Sequence, residues 1–333
     1  MQKRFFSIGE ALIDFIPNGA GLPLKSVEGF IKKAGGAPAN VCAAVARQGV
    51  DAAFIGKVGK DAFGDFLIET MKAAGIDTRH VFQTGAANTS LAFVSLKKDG
   101  ERDFSFYRNP GADMLLEADE ISPDWFGRGD FLHFGTVDLI DAPVKQAHIK
   151  AIDCVKQKQG TIIFDPNLRL ALWDDKQALK ETVWAFMPKA DILKISDDEI
   201  DFIFDTEDVD KAAKKAFALG VSVFLYTMGR DGSRIITRGM DVTKAGFRIN
   251  AVDATGAGDA FIGAFAAGLI RGELDIAKMT PTDAESLLTR ANACGAIVAG
   301  RVGAIESMPT EKETEDFIRS AEVDGFLTNS EIL

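Results

Sequence analysis

The sequence is poor in cysteine, and its three, Cys42, Cys154 and Cys294, are odd in number and widely spaced. A disulfide framework or a CxxC metal site is not supported, and buried thiols fit their alanine-rich or helical surroundings. The three histidines, His80, His133 and His148, are equally scattered and show no metal-ligand spacing. No run approaches the roughly 18 apolar residues needed to span a bilayer. Glu10 and Asp14 interrupt the apolar N-terminal stretch before it reaches signal-peptide length, so a cytoplasmic protein is expected. Positive charge is in deficit: 38 Lys and Arg against 49 Asp and Glu leave −11, which makes nucleic acid and anionic membranes poor partners. Low-complexity tracts, internal repeats and flexible linkers are also missing. There is no GxxxxGK[ST] phosphate loop, and Gly256-x-Gly258 continues to Phe261 where a dinucleotide fingerprint wants a third glycine. That string also arrives late in the chain, which argues against a nicotinamide oxidoreductase.

What is present is concentrated in Asp253-Ala-Thr-Gly-Ala-Gly-Asp-Ala-Phe261, where three small residues and then a carboxylate stand at a loop-to-helix junction. Gly256, Ala257 and Gly258 would turn unobstructed N–H groups toward anionic oxygens at the positive end of that helix. Asp259, on the first turn, can accept a proton from a hydroxyl held beside those oxygens. Oxyanion donors next to a base are what phosphoryl transfer to an alcohol requires. A chain this acidic must gather positive potential locally to handle nucleotide, through helix N-termini, a few arginines and a metal ion, so magnesium is expected.

A chain of 333 residues with 47% hydrophobic content can bury a large core. From about residue 130, short β-rich runs alternate with helical ones, the pattern of βαβ units and a mostly parallel sheet covered on both faces. Leu12–Ile16, Leu24–Ile31, Leu91–Leu96 and Phe104–Tyr107 read as strands without enough helix between them for such units. Lys97-Lys-Asp-Gly-Glu101 carries a tight-turn signal joining the last two. Two helices intervene, one opening at Pro38 and stopping at Gly49, the other following Asp61 as N-cap and stopping at Gly75. The expectation is a single α/β domain over 1–333, its lid a small antiparallel sheet, discontinuous in sequence, built from about 12–32 and 90–108. The C-terminal end reads as a frayed tail.

Other constellations have a bland reading beside a functional one. Ala34-Gly-Gly-Ala-Pro-Ala-Asn-Val41 brings two glycines to a helix start and Asn40 to its first turn, where a small polar ligand could approach. Gly56–Gly64 resembles another backbone-approach loop or a plain turn. Phe164-Asp-Pro-Asn-Leu-Arg169 follows an apolar strand at the carboxyl end where open α/β sheets gather ligands. Asn167 and Arg169 would there face the same crevice as Asp259, with Arg169 suited to bridging phosphate oxygens. Ser196-Asp-Asp-Glu199 follows the next strand and is a capping box as readily as a metal or phosphate site. Thr227-Met-Gly-Arg-Asp-Gly232 is a hairpin or a ligand loop, and Arg108 ends the lid hairpin where it could reach a ligand below.

With these residues assembled, the chain resembles the ribokinase-like carbohydrate kinases of the pfkB family over nearly its full length. Gly35-Gly36 through Asn40 with Gly56–Gly64 looks like the first family signature, and Asp253–Phe261 like the second. Phe106–Leu116 and Asp165–Trp173 are similar to stretches typical of fructokinases. The resemblance implies that Asp14, Gly35, Gly36, Asn40, Arg108 and Asn167 hold a sugar and that Asp259 deprotonates its hydroxyl. Gly256, Ala257 and Gly258 would receive the transferring charge with Arg169 assisting. Lys194, Ser196, Thr227, Gly229, Gly232 and Asn292 match positions lining the ATP site, Ser196 standing where the family has Asn. Glu199 would organise magnesium through water. Relatives often bind potassium, which would implicate Asp253, Thr255 and Ser307. The implied activity is ATP-dependent phosphorylation of fructose to fructose 6-phosphate, by in-line transfer. A sibling kinase acting on 2-keto-3-deoxygluconate, ribose or aminoimidazole riboside stays open, as do a non-catalytic sugar-binding regulator and a homodimer clasped through the lid.

Overall fold

A computed structural model describes residues 3–19, 21–96 and 102–323. In chain order the strands are β1 (Phe5–Ile8), β2 (Leu12–Pro17), β3 (Phe30–Gly35), β4 (Ala52–Gly59), β5 (Asp77–Thr84), β6 (Leu91–Leu96), β7 (Arg102–Tyr107), β8 (Phe131–Phe134), β9 (Thr161–Phe164), β10 (Ile192–Ser196), β11 (Val223–Thr227), β12 (Ser233–Ile236) and β13 (Asp241–Lys244). The helices are α1 (Ala37–Arg47), α2 (Ala62–Ala73), α3 (Pro143–Gln157), α4 (Lys176–Phe186), α5 (Asp197–Phe204), α6 (Val209–Ala218), α7 (Ala257–Arg271), α8 (Pro281–Ala299) and α9 (Glu311–Val323). The tight turn expected at Lys97–Glu101 and the expected frayed tail lie outside the described residues.

Among the described residues the main sheet has the order β13-β12-β11-β10-β9-β8-β1-β4-β5, parallel from β11 through β5 and antiparallel at β12 and β13. Its central strands β1, β8, β9 and β11 read as near-continuous apolar runs because both faces are covered. Residues from α1, α2, α7 and α8 pack on one face, and residues from α3, α4, α5 and α6 on the other. The mostly parallel, doubly covered sheet read from the second half of the sequence is therefore present. It extends further toward the N-terminus than expected, since β1, β4 and β5 belong to it as well.

Two local expectations are corrected. The strand expected over Leu24–Ile31 is a single 3-10 turn at Leu24–Ser26 followed by β3 at Phe30–Gly35. The pairing partner decides this, because β3 lies antiparallel along the whole of β2 with Gly35 opposite Leu12. Gly56–Gly64 is not a ligand loop at its start. Gly56 lies inside the fully buried strand β4, and a Cβ there would sit 2.9 Å from the carbonyl oxygen of Gly9. The close approach is by the protein's own backbone.

The small sheet has the order β3-β2-β6-β7. Pairing is antiparallel within β2–β3 and β6–β7, and the two pairs meet through the parallel contact of β2 with β6. Phe15 stacks on Phe93 and meets Phe63 of α2 edge-on, while the Lys32 ammonium lies 3.8 Å from the Phe66 ring centroid. These contacts dock the small sheet on α2. Lys33 also reaches Glu306 across 2.5 Å, joining β3 to the segment that follows α8.

Candidate active site

Strands β8, β9, β10 and β11 end along one edge of the main sheet; Asp138 and Asn167 lie in the segments that follow β8 and β9, and Ser196 and Thr227 are the last residues of β10 and β11. Helix α7 brings its N-terminus to the same edge. Eleven of its fifteen residues, including Phe261, Phe265 and Leu269, are buried, as befits a helix sealed inside the fold. Gly263 permits tight packing on α1, since a Cβ there would lie 2.5 Å from the Ala44 methyl. The two helices thereby carry Asn40 and Asp259 to the same point.

Asp259 is 6% exposed. The Asn40 side chain donates its amide N–H to Oδ2 at 2.8 Å, and Asn167 donates to Oδ1 at 3.1 Å. Asn167 reaches it from a left-handed backbone, φ 46°, a conformation that asparagine tolerates better than most residues. Burial pushes the Asp259 carboxyl above the ordinary aspartate range, against the Asn40 hydrogen bond, the charges of Arg169 and Lys194, and the Asn167 hydrogen bond, which pull it down. A carboxylate so placed is poised to accept a proton.

Gly256 caps α7 with φ 80°. The Ala257 N–H is occupied by Ala254 O at 3.2 Å, whereas the N–H groups of Gly256 and Gly258 find no acceptor among the described residues. Arg169 is exposed and turns back on its own loop, donating to Leu168 O at 3.1 Å. Lys194 is 5% exposed, and its ammonium lies 3.5 Å from where a Cβ on Gly258 would stand. Its place is therefore against the first turn of α7.

The carboxylate of Asp14 lies over Gly35, so closely that a Cβ there would collide with Oδ2. Arg108 does not project into an open crevice. It is 5% exposed and bridges two buried carboxylates, Asp113 at 2.6 Å and Asp138. Glu10 belongs to the same polar cluster: it accepts the Ala37 N–H at 3.1 Å, and burial pushes its carboxyl up to about 7. In the sequence Glu10 only interrupts an apolar run, and the signal for its role is that a charge survives amid residues that are otherwise core.

The expected nucleotide-lining residues gather in two places. Thr227, Gly229 and Gly232 surround the turn between β11 and β12, with φ 51° and 108° at the two glycines. Asn292 of α8 is tied to that turn, accepting from Ser233 Oγ at 2.8 Å and donating to Lys244 O and Ala245 O at 3.3 Å. Ser196 caps α5. Its N–H and hydroxyl both donate to Glu199 Oε2 at 2.9 Å, which is the Glu-to-N-cap half of a capping box, and Leu168 N–H donates to Oε1 at 2.8 Å.

Glu199 thus spends its carboxylate on three donors of the chain, and among the described residues no three His, Cys, Asp or Glu are grouped to hold a metal. A resident divalent ion does not fit these residues. Magnesium is a poor guest of all-protein cages and reaches such sites on nucleotide phosphates. Glu199→Gln leaves a buried donor facing an amide and is expected to lower unfolding free energy by about 1–3 kcal/mol in urea titration, with or without magnesium. For the monovalent set, Thr255 N–H donates to Asp253 Oδ1 at 2.8 Å, and Ser307 Oγ lies 2.7 Å from Gly303 O. The two loops are neighbours, since Ala304 borders Gly256.

The histidines have structural partners: His133 Nδ1 lies 3.0 Å from Ser7 Oγ, His148 Nδ1 2.8 Å from Val144 O, and His80 stacks on Trp125. All three cysteines are free and buried. No helix of the described residues is long and apolar enough to cross a membrane.

The pfkB family carbohydrate kinase model matches residues 2–311. The chain is 40% identical over 322 residues to probable fructokinase-4 of Arabidopsis thaliana, covering 96% of this chain and 97% of the relative. Among solved structures it is similar to a fructokinase with bound ATP from Xylella fastidiosa, with TM-score 0.88, 31% identity, and 97% and 100% of the two chains covered. It is also similar to a fructokinase from Vibrio cholerae O395 in a fructose, ADP and calcium ion bound form, with TM-score 0.85, 30% identity, and 95% and 99% covered.

Proposed function

Because the chain belongs to the pfkB family of carbohydrate kinases and is an ATP-dependent carbohydrate kinase, we propose that D-fructose is its acceptor and fructose 6-phosphate its product. The observation that carries the chemistry is the placement of Asp259, a buried carboxylate on the first turn of α7, gripped by amides from α1 and from the β9 loop. The choice of acceptor is supported by the 40% identity, over nearly the whole chain, to relatives named for fructose.

In this reading the hydroxyl on C6 of the sugar gives its proton to Asp259 as its oxygen attacks the γ-phosphorus in line. The bond from that phosphorus to the β,γ-bridging oxygen breaks, and ADP leaves. Gly256 and Gly258 turn their N–H groups toward the migrating group, and the Ala257 N–H joins them by giving up its long bond to Ala254. Arg169 swings from its own carbonyls to the phosphate oxygens. Asp14, beside Gly35, fixes the sugar hydroxyls with Asn40 and Asn167, while Arg108 acts from below as the buried anchor of the lid base. Magnesium, brought in on the nucleotide, would supply charge neutralisation at the phosphates. Thr227, Gly229 and Gly232 border the nucleotide, and Asp253, Thr255 and Ser307 would hold a potassium ion, which would supply positive charge next to the anion-binding turn.

A coupled ADP-release assay across fructose, glucose, ribose, 2-keto-3-deoxygluconate and aminoimidazole riboside, with and without potassium, tests the acceptor. Fructose is expected to give the highest kcat/KM of the five. An inert fructose beside a reactive sibling sugar would overturn the substrate while leaving the kinase chemistry standing.

A further inference from the structure

The buried ammonium of Lys194 stands where electrostatics alone would forbid it. The N-terminus of α7 carries a partial positive charge, and a cation against it is unfavourable unless anions surround both. Three carboxylates do so. Asp165, 1% exposed, lies 3.2 Å from the ammonium, and Glu199 and Asp259 act on it from further away. Glu199 is committed to Ser196 and Leu168, and Asp259 to Asn40 and Asn167. Asp165 is the member of the three that hydrogen-bonds Lys194.

Asp165 is itself held by the sheet. It follows β9 directly, its N–H donates to Phe134 O at 3.1 Å, and the Thr136 hydroxyl binds Pro166 O at 2.6 Å, fixing the turn that follows. Its carboxylate is turned to the Lys194 ammonium. What it can do is set where the lysine ammonium rests and hold it there between turnovers.

We propose that Asp165 is a positioning residue for phosphoryl transfer, anchoring the Lys194 ammonium under Gly258 so that a fixed positive charge lies beneath the anion-binding turn. The proposal rests on the kinase chemistry and is indifferent to which sugar accepts the phosphoryl group. Preorganised charge of this kind acts on the charge that develops during transfer, so its loss falls on kcat rather than on sugar KM.

The test is a double-mutant cycle measured with the acceptor that the wild-type enzyme phosphorylates fastest. Lys194→Met is expected to lower kcat by about 10²–10³, and Asp165→Asn by roughly tenfold, since a mobile ammonium still helps part of the time. Sugar KM should stay within about threefold of wild type in both. The double variant should match Lys194→Met in kcat within about twofold, because Asp165 has nothing left to position. Asp165→Asn with wild-type kcat, or a double variant whose loss is the product of the two single losses, would overturn the proposal. Should Asp165→Asn not fold, the double variant against Lys194→Met still decides, and removing both charges is expected to restore folding that a lone buried charge disrupts. A wild-type enzyme inert toward every sugar would instead indict the assigned activity.

Discussion

Asp259→Asn is expected to lower kcat by about 10²–10⁴, the range for loss of a general base, while ATP still binds and the protein still folds. Folding should survive because Asn40 keeps a spare acceptor. Its Oδ1 is buried without a hydrogen-bond partner, and a half-turn of the Asn40 amide presents that oxygen to the N–H of the introduced side chain. The same environment sets a pH dependence. Burial raises the Asp259 pKa above the ordinary aspartate value, and only the ionised form accepts a proton. As pH falls, kcat should therefore decline earlier than for an exposed aspartate, and the plateau should lie on the alkaline side. A coupled ADP-release assay gives kcat against pH, and nucleotide titration followed by fluorescence gives ATP affinity. A variant with wild-type turnover would remove Asp259 from the chemistry, and one that neither binds ATP nor folds would show a structural role instead.

The elements legible in the sequence are those whose signals are local. Asp61 accepts from Phe63 N–H and Gly64 N–H and opens α2 as an N-cap should, and Pro38 sits in the first turn of α1. Gly256-Ala-Gly258 followed by Asp259 is readable as a helix start because positive φ, small side chains and a carboxylate all occur within four residues. β1, β4 and β5 escape notice as members of the main sheet for a different reason. Phe5–Ile8 spans four residues, and Ala52–Gly59 contains two glycines and Lys57, which lacks the β-branched density that marks a buried strand. What makes β4 a strand is its place between β1 and β5, a tertiary fact. Lys57 is tolerated there because Glu120 and Leu115 O take its ammonium at 2.6 and 2.8 Å, partners more than fifty residues away.

The same division runs through the site. Asn40, Asn167 and Asp259 lie in three separate motifs, each suggestive alone, and only folding brings both amides onto one carboxylate. Arg108 is readable as a cation at the end of a hairpin, but its burial between Asp113 and Asp138 depends on a second carboxylate that follows β8, thirty residues away. Asp165 sits inside a recognisable string yet draws no role there, because its meaning lies in Lys194, on the neighbouring strand.

Gly36→Ala is expected to destabilise the protein by about 2–5 kcal/mol in urea titration, from backbone strain and overpacking together, and to abolish most activity. Gly36 holds φ 104°, and a Cβ there would collide with Glu10 O and stand 3.0 Å from Ala11 Cα. Both obstacles are backbone, and the strand that follows cannot withdraw, because Ile13 N–H is bonded to Ser90 O at 3.0 Å and Leu12 pairs with Gly35. The variant must then move Gly36 itself, whose carbonyl accepts the Asn40 N–H at 2.9 Å and so sets where α1 delivers its amide to Asp259. Gly35→Ala is the control that separates folding from binding. Its Cβ would meet a side chain, the Asp14 carboxylate, and not the backbone. Stability should fall by less than in Gly36→Ala, because a side chain gives way more readily than backbone, while sugar KM rises about 10–100-fold, the worth of a hydrogen bond to a charged group. Neighbouring glycines would thus fail in opposite ways, one through the frame and one through the ligand. Equal losses of stability in both variants would mean that Asp14 is fixed in the fold and not available to the sugar.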